Sequence, residues 1–298
     1  MEEEKPKKDK LLPGSVILAA LIIGLALFYR GGESGPEENQ NEQGQASALE
    51  QKVLPAEGII LSARWGDLGA KMVSVGVIDK EKLEALYGGR GGFSPEERQI
   101  LYGLDNANLV ITSENAGFLL NLFWALGLAN QNRILTDGPM NDSKYGGPGG
   151  FASTGGWTLS DGDSMEHYGR HRFFVLTEEQ QTLVEEVSKN IYRPCCDNST
   201  YFPDCNHGMA MLGILELMAS QGASEEEMYR VALQVNSYWF PETYLTIAQY
   251  LAAKGVDWQE ADPKEILGVN YSSGSGYRRI LSEVTPIERK SGGSSCGA

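Results

Sequence analysis

The sequence predicts a mainly α protein: a single N-terminal transmembrane helix followed by an extracytoplasmic, all-α globular domain with few short strands. Three observations carry this expectation. Leu11 to Tyr29 runs nineteen residues without a charge, enough at about 1.5 Å per helical residue to cross a hydrocarbon core of about 30 Å. Helix starts recur in recognisable form, with an N-cap residue followed three positions later by an acid or amide. Two stretches, Ala116 to Ala129 and Met209 to Ala219, are apolar almost all the way round. At 14 and 11 residues they are too short to span a bilayer and read as buried core helices.

Lys5, Lys7, Lys8 and Lys10 precede the apolar segment, and after Arg30 the next basic residue is Lys52. The positive-inside rule therefore keeps residues 1–10 in the cytoplasm as a basic lead and sends the rest of the chain outside, periplasmic or extracellular. The segment ends Leu27-Phe28-Tyr29-Arg30, without the small residues a signal peptidase requires, so residues 11–29 read as a retained single-pass signal anchor. The membrane is thus the first expected partner. Residues 30–58 contain no aromatic side chain and are rich in Gly, Glu, Gln and Asn, the composition of a disordered acidic spacer.

Residues 59–285 form the expected globular domain. Ser94-Pro95-Glu96-Glu97, Thr177 to Gln180, Ser224 to Glu227 and Asp262 to Glu265 open four helices. Others are expected at Leu68–Val75, Lys80–Tyr87, Glu114–Ala129, Cys205–Gln221 and Tyr244–Lys254. Asn108 to Thr112 and Arg172 to Leu176 are the only β-like runs. Gly138 to Gly162 holds eight Gly in 25 residues with Tyr145, Phe151 and Trp157 interspersed, a lid or a plain connecting loop. Residues 286–298 make a flexible Gly/Ser tail carrying Cys296.

Acidic residues outnumber basic ones by 40 to 25, giving a net charge of −15, and the chain beyond residue 30 carries −16. That excludes a nucleic-acid surface, which needs clustered Lys and Arg. No phosphate-cradling GxxxxGK[ST] occurs, and no GxGxxG follows a strand.

The chemistry-bearing residues are concentrated. All three His and three of the four Cys fall between His167 and His207, most densely from Arg193 to Met209. Three chemistries fit. In the first, an oxidising exterior joins Cys196 to Cys205 as a disulfide, while the adjacent Cys195 stays free or pairs with Cys296, since neighbouring cysteines bond to each other only with strain. In the second, Cys195, Cys196, Cys205 and His207 bind a thiophilic metal ion, zinc or copper. Met211, one turn beyond His207, and the pair His167 and His171 are secondary ligand candidates. In the third, Cys205 is a nucleophile with His207 as its base. Asp204 would cap the helix, leaving Cys205 in its first turn, and Arg193 would favour the thiolate.

The spacing C-C-x8-C-x-H is not a common zinc pattern. CxxC, CxxCH, GxSxG and HExxH are all absent, so no complete enzyme signature accompanies the cluster. Glu216, inside an apolar helix, is expected to pair with an Arg or to titrate in a cavity. Asn121 is expected to be a satisfied core amide. Together these features describe a membrane-anchored domain whose Cys/His cluster binds a metal ion or is braced by a disulfide. The alternatives are a thiol–disulfide enzyme and a disulfide-stabilised envelope protein that meets its partner through the Gly/aromatic loop.

Overall fold

The computed structural model describes residues 36–89 and 91–286. Along the chain run α1 (Pro36–Val53), β1 (Ile59–Gly66), α2 (Leu68–Ser74), α3 (Lys80–Gly88), α4 (Pro95–Tyr102), β2 (Asn106–Ile111), α5 (Ala116–Ala129) and the single turn α6 (Arg133–Thr136). After a long segment of 3-10 turns come α7 (Glu178–Lys189), α8 (Asn206–Ser220), α9 (Glu225–Trp239), α10 (Pro241–Ala253) and the short α11 (Pro263–Leu267), α12 (Val269–Ser272) and α13 (Gly274–Leu281). The expected anchor, Leu11 to Tyr29, and the tail with Cys296 lie outside the described residues. No described helix is long and apolar enough to cross a membrane.

The protein is mainly helical, and its helix starts follow the capping signals. Ser94 accepts from the Glu97 amide and Thr177 from that of Gln180, each closing a full capping box. Ser224 and Asp262 cap α9 and α11 in the same way, through the amides of Glu227 and Lys264.

Three stretches differ from the sequence expectation. The supposed spacer is helical from Pro36 to Val53, and Val53 and Leu54 are buried in the core. The chain divides between Ala48 and Leu49, ten residues ahead of Ile59. The β-like run Arg172 to Leu176 is irregular; only His171 beside it forms an isolated bridge, to Asn130. The second strand is β1, which pairs antiparallel with β2 from Ile59 opposite Ile111 to Gly66 opposite Asn106, with a register shift between Ile60 and Arg64. Leu61, Ala63 and Trp65 face the core while Ser62 and Arg64 face away, the alternation of a half-buried strand.

The two all-apolar stretches became α5 and α8, the central pair of the core. They cross backbone to backbone. A Cβ on Gly127 would lie 2.0 Å from the Met209 carbonyl oxygen, and one on Gly213 would lie 2.6 Å from that of Phe123. Only Gly fits at this crossing, and the contact fixes the first turns of α8, where the cysteine segment enters. Asn121 donates to the Tyr87 hydroxyl at 3.1 Å, a satisfied core amide as expected.

Glu216, on α8, is fully buried. Its partner is an amide rather than an arginine: Asn130 Nδ2 donates to Oε2 at 2.9 Å. Oε1 and the Asn130 Oδ1 both lack a donor. Burial pushes the carboxyl well above its usual range, and the amides of Asn130 and Asn132 offset this only in part. Burial therefore favours the protonated, neutral form of Glu216. Its stabilising contribution is complete below the unfolded-state pKa, near 4.3, and is lost progressively as pH rises toward the folded value. Glu216→Gln, which keeps a donor at that position, should match the wild type at pH 4. It should then gain on the wild type as pH rises, by no more than about 1.4 kcal/mol per pH unit, read by urea denaturation from pH 4 to 8. A constant difference across the range would show that Glu216 is ionised when folded.

Candidate metal centre

The segment between α7 and α8 folds back on itself. Tyr192 forms a bridge with Ser199, and the Thr200 amide donates to the Ile191 carbonyl at 2.8 Å. Distant parts of the chain hold this turn. The Tyr192 amide donates to the Leu267 carbonyl, the Gly274 amide to that of Cys196, and the Ser275 amide to the Asp197 carboxylate. On the other side the Gly-rich loop clamps it. The Ser153 amide donates to the Asp204 carbonyl, and the rings of Tyr145 and Phe151 each meet Phe202 with centroids 5.4 Å apart. This loop is therefore packed against the cysteine segment, with Trp157 buried and bonded to the Val77 carbonyl.

At the centre of the turn lies Arg193, 2% exposed. Its Nε donates to Cys205 Sγ at 2.9 Å, and its remaining nitrogens bind the Asn198 carbonyl, the Phe202 carbonyl and the Asp204 carboxylate. Burial lowers its pKa, but Cys205, Cys196 and Asp204 outweigh burial and hold the guanidinium charged. Asp204 therefore does not cap the helix. Cys205 occupies the N-cap position itself, without a side-chain capping bond, because the Asp204 carboxylate is taken by Arg193 and by Asn198 Nδ2. Gly208 lets the guanidinium in: a Cβ there would lie 2.5 Å from Arg193 Cζ.

Cys195 and Cys205 bring their sulfurs to 3.6 Å. A ring nitrogen of His207 joins them, all three ligand atoms lying within 4.8 Å of one another. Cys196, Asp204 and Cys205 form a second group of the same size, so Cys205 is shared. Hydrogen bonds from Cys195 and Cys196 pull the Cys205 thiol well below its ordinary range, with help from Arg193 and His207 against burial. The Cys195 and Cys196 thiols move up in turn. Of the three sulfurs, Cys205 is the one whose surroundings favour the thiolate. Exposure falls from Cys195 at the surface to Cys205 and then to His207, which is 4% exposed. The His207 ring is fixed by Phe240, 4.4 Å away between centroids, and by the edge of Trp239.

The other candidates lie elsewhere. His167 Nδ1 and His171 Nε2 bind each other at 3.0 Å, and His167 Nε2 meets the Asp161 carbonyl. Burial, with His167 and Arg170, lowers the His171 pKa. Met211 is 1% exposed within the apolar core. The expected Cys196–Cys205 disulfide is not formed: Cys195, Cys196 and Cys205 are free thiols, and the Cys195–Cys205 gap far exceeds the bond length of about 2.05 Å. Arg193 was read from the sequence only as a charge near a thiol. The Asn206-His207-Gly208 run was the available signal that a side chain passes beneath the helix start.

Comparison with protein-family models, curated proteins and solved structures returned no match. The site is therefore defined by its own geometry: a Cys/His cluster able to hold a metal ion, at the start of a core helix in a mainly helical domain.

Gly208→Ala should displace Arg193 and destabilise the protein by about 2–3 kcal/mol through overpacking, measured by chemical denaturation. Gly117→Ala, at a position with open space in a helix of the same core, should not. Equal stability of both variants would show that Arg193 does not need the gap.

Proposed function

We propose that this protein is a membrane-tethered, extracytoplasmic binder of a thiophilic metal ion, held by Cys195, Cys196, Cys205 and His207. One observation carries it: the 3.6 Å separation of the Cys195 and Cys205 sulfurs beside the His207 ring. In a tetrahedral zinc site with bonds of about 2.3 Å, the sulfur–sulfur edge is about 3.8 Å. Cys196, whose sulfur lies within 4.8 Å of that of Cys205, is the fourth ligand of the proposed set. Three sulfurs and one imidazole suit zinc, or Cu(I) with fewer of them. Three thiolates exceed the charge of a divalent ion by one, and Arg193 stands against Cys205 to balance it.

The geometry favours a ligand set over a substrate-processing thiol. Cys205 sits behind the exposed Cys195, and His207 is boxed between Phe240 and Trp239. The aromatics of the Gly-rich loop meet Phe202 of the protein's own chain, so they offer little for an envelope partner.

Protein purified without chelator should contain about one zinc or copper per chain, and its cluster thiols should resist alkylation until a chelator is added. Cys205→Ser should remove the metal. Lowering the pH should release it as the thiolates take up protons. Metal-free protein with every thiol immediately reactive, or fully oxidised, would overturn the proposal.

The membrane part of the proposal rests on the uncharged run Leu11 to Tyr29 and the lysines before it. A topology reporter fused after Ala298 should be active only in its extracytoplasmic form; activity in the cytoplasmic form would reverse the assignment.

A further inference from the structure

We infer that the cluster is a redox-controlled metal site, in which Cys195 and Cys205 close to a disulfide and expel the ion while Cys196 stays outside the bond. The inference rests on the metal reading of the same residues and adds how the site is emptied. Of the three cysteines, Cys195 and Cys205 bring their sulfurs to 3.6 Å. Bonding requires them to approach by only about 1.5 Å more. Cys196 is tied elsewhere: its sulfur reaches the Asn198 carbonyl, and its own carbonyl accepts from Gly274. A bond between Cys195 and Cys196 would strain the peptide that joins them.

The exposures divide the labour. Cys195 is at the surface, where an oxidant larger than water reaches it first. Cys205 is recessed and held by Arg193 Nε with its sulfur facing Cys195. The oxidant is a low-molecular-weight disulfide, RSSR. The Cys195 sulfur leaves the metal and attacks one sulfur of RSSR, breaking its S–S bond and releasing RS⁻. The Cys205 sulfur then attacks the Cys195 sulfur of this mixed disulfide, forming the internal bond and releasing a second RS⁻. Two protein thiolates lose two electrons in all, RSSR gains them, and each RS⁻ takes a proton from solvent. Zinc keeps its oxidation state. It leaves because only Cys196 and His207 still bind it.

The test uses the full chain carrying Cys296→Ser, so that the tail thiol does not take part. Loaded with zinc and treated with oxidised glutathione, it should release one zinc per disulfide formed. Peptide mapping should join Cys195 to Cys205, and a reducing thiol should restore binding. In metal-free protein, Cys196→Ser should form the bond at the parent rate, whereas Cys195→Ser should form any internal disulfide at least about tenfold more slowly. A map joining Cys196 to either partner, or zinc retained with all thiols intact, would overturn the inference and leave the metal reading standing. A Cys195–Cys205 bond in a protein that never binds zinc would overturn the metal reading and the coupling together.

Discussion

A buried guanidinium organises this site. Arg193 is removed from water, and an unpaired charge there would be costly enough to unfold a marginally stable domain. Its donors instead meet a sulfur, two carbonyls and a carboxylate, all from residues 198–205. Those partners lie in one short segment, which the cation it encloses and the packing of Phe202 hold in shape together. The sulfur that Arg193 contacts is the one shared by both candidate ligand groups. Shape and charge at the cluster are therefore linked through Arg193.

Helix α8 resolves two buried ionisable groups in opposite ways. Near its start, Arg193 stays charged because anions surround it. Farther along, Glu216 has only amides for company, and burial drives its carboxyl well above the usual range. Between them lies the crossing with α5 at Gly127 and Gly213. Two helix backbones in contact leave little freedom to slide or rotate, so the first turn of α8 is a rigid platform. His207 stands on that platform against Phe240 and Trp239, from the junction of α9 and α10. The most buried candidate ligand is thus held by the core, and the more exposed ones by a loop that the core clamps.

Much of the helical scaffold was legible in the sequence, because caps and apolar faces are local signals. Ser94, Thr177, Ser224 and Asp262 all start helices, and the two all-apolar runs are the core pair. Strand β1 was not legible because its alternation, Leu61, Ala63 and Trp65, is short and begins beside two further apolar residues, Ile59 and Ile60. The run Arg172 to Leu176 has strand composition but no partner, and pairing decides strands. At the site, the crowding of Cys195, Cys196, Cys205 and His207 was visible as spacing. Which sulfurs approach each other was not, because that depends on how the turn folds back on the start of α8, where Cys195 and Cys205 bring their sulfurs to 3.6 Å. Asp204 was misread: its cap preference is real, but a buried cation competes more strongly for the carboxylate.

The turn that carries the cysteines is braced by Ser153 on one side and by Leu267, Gly274 and Ser275 on the other. These contacts span most of the domain in sequence. During synthesis, then, the cysteines and His207 emerge long before the residues that hold them in place. A chain stopped short of Gly274 would carry Cys195, Cys196, Cys205 and His207 without part of the bracing of their turn. The turn around the cluster is therefore completed only by residues made after it, from α11 to α13.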